Sequence, residues 1–221
     1  MDKAPDMIAA VRAKDLRAVK RLIAEDTAFV GARNAKGESA VMVAMYAGAA
    51  DIAAYLIERG APLDAFSAAA AGNLPALERS LAADPAAVNA FAADGWSALH
   101  LAAFFGQAAA ARLLIERGAK VQAISRNPSA NMPLHVAAAR GHRDVAELLI
   151  ERGADVKAPA GGGWTPLHLA AGSGHEDVAA LLIERGADAR AREAQGHTPL
   201  EIAEATHHSK VAAVLRRAAA R

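Results

Sequence analysis

Between Gly163 and Ala187 the chain reads GWTPLHLAAGSGHEDVAALLIERGA, and its apolar positions fall into two short stripes. Leu167, Ala170 and Ala171 stand at i, i+3 and i+4, as do Val178, Leu181 and Leu182, so each set lines one face of a helix. Thr165 is placed to cap the first helix, and Pro166 fits its first turn, where a missing N–H is no loss. Gly174 is expected to end that helix. Gly186 is expected to supply the left-handed residue that stops the second, with Arg185 as a cation near its C-terminus. The stretch predicts one complete helix, loop, helix unit.

Imperfect copies of this unit fill most of the chain. Its tetrad recurs as SALH at Ser97 to His100, MPLH at Met132 to His135 and TPLH at Thr165 to His168, with TPLE at Thr198 to Glu201. The string IERGA starts at Ile57, Ile115, Ile150 and Ile183, at spacings of 58, 35 and 33. Gly106, Gly141 and Gly174 mark the turn inside three units. A period near 33 residues signals a stacked repeat architecture.

These residues resemble the ankyrin repeat. Its pattern GxTPLHxAAxxGHxxVxxLLxxGA is met almost completely at 163–187, and the resemblance covers nearly the whole chain. It implies an all-α solenoid of about seven helix-turn-helix units with short β-hairpin fingers, forming a single domain over 1–221.

The first unit, 1–33, is expected to hold helices at Met7 to Ala13 and Leu16 to Ile23 with no finger before them, as an N-terminal cap. The second, 34–63, carries SAVM at Ser39 to Met42 in place of the tetrad. The third, 64–89, is short and finger-less. The others are 90–122, 123–157, 158–190 and 191–221, the last as a C-terminal cap. A second periodicity lies above the first, because 15–37 aligns with 73–95 at an offset of 58. Asp84 and Pro85 are expected to break the helix before them and start a loop.

Composition narrows the function classes. With 53% hydrophobic residues, mostly Ala, Leu, Ile and Val, close packing of short helices is expected. The formal net charge of +1 gives no field for nucleic acid or an anionic membrane. No cysteine is present, which suits a reducing cytoplasm. No apolar run approaches the roughly 20 residues of a membrane span, and the N-terminal sequence lacks the pattern of a secretion signal. A soluble, cytoplasmic monomer is expected.

Eight histidines invite a metal or acid–base reading, but their register opposes it. His100, His135 and His168 share one motif position, and the resemblance implies a ladder bonding backbone between repeats. His142 and His175 follow the mid-repeat glycine, while His207 and His208 are adjacent and point different ways. No HExxH, GxSxG or phosphate-loop pattern occurs, so neither catalysis, a metal nor a cofactor is expected.

Aromatic residues make up only 4% of the chain and are concentrated. The resemblance implies partner contact through the fingers and the two residues before the mid-repeat glycine, on a concave face. In the fourth unit those positions hold Phe91, Asp94, Trp96, Phe104 and Phe105; Tyr46 stands at the matching place in the second. A notch floored by Ala70 and Ala71 is expected among them, while Arg140 and Trp164 stand on a different, mixed and polar groove of the later units. The expected function is capture of a partner protein, as a regulator or inhibitor. A small-molecule site in the aromatic notch and a self-assembly module are the alternatives.

Overall fold

The structure, a computed structural model, describes residues 4–220. Residues 1–3 and 221, the extremities of the first and last expected repeats, lie outside the described residues. The chain divides into two compact units at Ala87 and Val88.

The first unit contains α1 (Ala4–Arg12), α2 (Leu16–Glu25), a 3-10 turn (Thr27–Gly31), α3 (Ala40–Ala47), α4 (Ala50–Glu58), α5 (Ala65–Ala71) and α6 (Leu74–Ala83). Successive helices pair as antiparallel hairpins. α1, α3 and α5 form one layer, while α2 and α4 meet in another. Between them Met7, Val11, Val19, Ile52 and Leu56 are buried, each drawn from the apolar stripe of its helix. Capping sets the helix starts: the side chain of Ser39 accepts from the Met42 N–H at 3.2 Å, and that of Asp64 from the Ser67 N–H at 2.8 Å.

The second unit contains α7 (Ala98–Phe104), α8 (Ala108–Glu116), α9 (Pro133–Arg140), α10 (Arg143–Glu151), α11 (Pro166–Ser173), α12 (Glu176–Glu184), α13 (Pro199–Ala205) and α14 (Ser209–Ala219). The odd-numbered helices stack in order, and so do the even-numbered ones. Leu99, Leu114, Leu134, Leu149, Leu167 and Leu182 are almost wholly buried between the two layers. The fold is an all-α repeat solenoid. In α11, Thr165 caps and Gly174 ends the helix in the left-handed region at φ 79°. Gly186 after α12 has φ 92°.

The offset of 58 survives in atomic detail. The 3-10 turns Thr27–Gly31 and Pro85–Asn89 differ by it, and so do the antiparallel bridges Arg33 to Ser39 and Phe91 to Ser97. Asp26 caps the first turn through the Ala28 N–H at 2.8 Å, and Asp84 the second through the Ala86 N–H at 3.1 Å.

The expected β-hairpin fingers are not formed as such. Among the described residues the pairing is limited to those two single bridges. Each finger is a tight turn, closed in one case by the Ala92 N–H on the Trp96 carbonyl at 2.8 Å. The next residue, Ser97, already caps α7, so the chain leaves for the helix before a ladder can grow.

Candidate functional site

The second unit brings Trp96, Phe104 and Phe105 into one cluster. Trp96 and Phe104 meet edge to face with centroids 5.2 Å apart, and Phe104 meets Phe105 in the same way at 4.9 Å. Such geometry sets a positive ring edge against a negative ring face. All three rings are half-buried. The guanidinium of Arg140, at the end of α9, lies over the Phe104 ring at 4.4 Å, and that of Arg126 over Phe91 at 4.3 Å. Cations so placed are held by the ring quadrupole.

Two rows of histidine tie this surface to the neighbouring repeats. His100, His135 and His168 are buried. In each, Nδ1 accepts the backbone N–H of the helix-capping residue, Ser97, Met132 or Thr165, at 3.2 to 3.4 Å. A nitrogen that accepts from an amide carries no proton, so the proton sits on Nε2. Nε2 donates into the next repeat: to the carbonyl of Asn131 from His100, of Ala158 and Trp164 from His135, and of His197 from His168. Burial, opposed by these carbonyls, holds all three below the ordinary value of 6.5, with His135 lowered to about 4.

In the second row His142, His175 and His208 donate from Nε2 to the carbonyls of Phe104, Ala139 and Gly172 at 3.0 to 3.2 Å. These carbonyls belong to the last turn of the first helix of the preceding repeat, where helix geometry supplies no partner. The backbone of Phe104 is fixed in this way. A side chain on Gly106, Gly141 or Gly174 would begin less than 3 Å from the imidazole of the same row. The sequence reading left His208 out of this row. Its signal is the position of Thr206 and His207, which match Ser173 and Gly174 of the preceding repeat.

Of the other expected site residues, Asp94 accepts the Trp96 backbone N–H at 3.0 Å and shapes the fingertip. Trp96 and Trp164 occupy equivalent places, each against the buried histidine one turn on, at centroid distances of 6.0 and 5.9 Å. Trp164 makes no ring contact with the Trp96 cluster among the described residues. Tyr46 belongs to the first unit, where it is 40% exposed at the end of α3.

Arg126 was missed in the sequence. It stands four residues before the left-handed turn residue Ala130, as Phe91 stands before Gly95, and counting back from Leu134 finds it. The lengthened fifth finger on which it lies bonds its neighbours on both sides. The Arg126 N–H donates to the Gly95 carbonyl at 2.8 Å, and the Gly161 N–H to the Ser129 carbonyl at 3.1 Å. The Ala194 N–H continues the series onto the Gly162 carbonyl at 2.8 Å.

Comparison with known families finds a match to the family described as Ankyrin repeats (3 copies), over residues 65–160 and 157–220. No match is found among curated proteins.

Proposed function

The chain belongs to the ankyrin-repeat family, whose members generally mediate protein–protein interactions, and from that premise we propose that it is a non-catalytic module that captures a partner protein on its fingers and first-helix ends. The observation that carries this reading is the cluster of Trp96, Phe104 and Phe105 at those positions, with Arg140 stacked on it. Aromatic and arginine anchors in a preorganised surface concentrate binding energy. The edge contacts, the carbonyl bond from His142 and the cation over the ring restrain Phe104 before any partner arrives, so little ordering is left for the binding step.

The module acts as a regulator or inhibitor of its partner, as a cytoplasmic monomer without affinity for nucleic acid. The near-neutral charge argues against nucleic acid as the partner, and no helix among the described residues is long and apolar enough to cross a membrane. Affinity capture from source-cell lysate with the wild type and with Phe104→Ser/Phe105→Ser tests the reading. A partner should be retained by the first and lost by the second, whose helical circular dichroism stays unchanged. Equal retention by the folded variant would sink it.

A further inference from the structure

Three fingers carry arginine at the same register, four residues before a turn residue of positive φ: Arg33 before Gly37, Arg126 before Ala130 and Arg192 before Gly196. Two of these side chains serve their own turn. Arg33 donates to the Gly37 carbonyl at 2.7 Å and lies 3.6 Å from Asp64; Arg192 donates to the Gly196 carbonyl and lies 3.8 Å from Glu201. Arg126 does neither. It is exposed and stacked on Phe91, as exposed Arg140 is stacked on Phe104. Among the described residues neither guanidinium forms an ion pair or donates a side-chain hydrogen bond.

Stacking engages the face of a guanidinium and leaves its donor fork, which lies in the plane, open to a carboxylate. Both guanidinium-bearing residues adjoin the aromatic cluster. The Arg126 N–H bonds the Gly95 carbonyl, one residue before Trp96, and Phe104, under Arg140, meets Trp96 edge-on. The geometry points to an acidic peptide segment of a partner protein as the occupant of this face. Carboxylates of the segment pair with Arg126 and Arg140, and an apolar side chain between them rests on Trp96 and Phe104. This deepens the protein-binding reading above and rests on it. Phosphates would also fit the forks, but a net charge of +1 provides no field for a polyanion.

The test is selection of a displayed random-peptide library on the full-length chain. Enriched peptides are expected to carry Asp or Glu on both sides of a Leu, Ile or Phe. Their affinity should fall about tenfold for each of Arg126→Gln and Arg140→Gln, the usual cost of a lost hydrogen bond to a charged group. Both positions are exposed, and thermal melts of the variants should match the wild type. Enrichment without an acidic excess, undiminished binding to the double variant, failure to enrich any peptide, or displacement of the peptides by single-stranded oligothymidylate would each overturn the proposal. Non-acidic peptides that are lost with Phe104→Ser/Phe105→Ser overturn only the acidic partner. Peptides indifferent to both pairs of substitutions remove the binding face as well.

Discussion

His135 stays neutral down to about pH 4 in the folded chain, while its ordinary value is 6.5. As pH falls through 6.5 the unfolded chain takes up a proton that the folded chain refuses. Stability is therefore complete above that value and declines until the folded side chain also titrates. Over this window His135 alone withdraws about 3 kcal/mol, and His100 and His168 act in the same direction. Denaturant melts between pH 7 and 4 should show the decline, and a flat profile would contradict the buried neutral tautomer.

Three non-glycine residues occupy turn positions that glycine fills in other repeats: Lys14 at φ 55°, Ala130 at φ 46° and His207 at φ 61°. Left-handed backbone costs such residues about 1–2 kcal/mol, partly offset by the greater unfolded-state freedom of glycine. Ala130→Gly and His207→Gly should each stabilise by about 0.5–1 kcal/mol in thermal melts. At Gly141, by contrast, alanine meets both the left-handed backbone and the His175 ring, and should destabilise by more than about 2 kcal/mol. Histidine register was legible in the sequence because the motif repeats it. The positions of Ala130 and His207 emerge only by counting register from Leu134 and from the preceding repeat, since no glycine marks them.

At the scale of helices, the buried leucines carry the stacking. Leu148 and Leu181 are at most 3% exposed on the second helices of adjoining repeats. Leu148→Ala or Leu181→Ala should cost about 2–5 kcal/mol in urea titrations, and a loss below 1 kcal/mol would mean that the layer packs loosely. Helix starts and stops were readable from Thr165, Pro166 and Gly174 because caps are local chemistry. The expected α1 began later than the helix does: Met7 is the first residue of the apolar stripe, whereas the helix runs from Ala4 with Asp6 in its first turn. Finger hairpins were over-read. Repeat length fixes how much chain a finger holds, yet whether it pairs depends on how soon the next cap begins. The fifth finger shows the same limit: Gly118 to Leu134 spans 16 residues against 14 from Gly153 to Leu167, but that excess gave no hint that Arg126 and Ser129 would bond to the fingers on either side.

Across the whole molecule, each unit is a stack in which a repeat touches its neighbours, so stability accumulates repeat by repeat. The sequence located the aromatic cluster because register showed which side chains the repeat motif does not prescribe. It did not show how the stacked arginines separate from those serving their own turns, because that depends on where each guanidinium folds back. The bonds between fingertips have a consequence in time. Turn amides ordinarily trade their hydrogens with water at once, but those of Arg126, Gly161 and Ala194 are closed by carbonyls of the adjoining finger. Only the parting of two repeats releases them, so deuterium uptake at these three amides times the opening of three successive joints. Leu181→Ala, which loosens the sixth repeat, should quicken Ala194 well before Arg126; uptake at all three as fast as in an unstructured peptide would show that the joints are never shut.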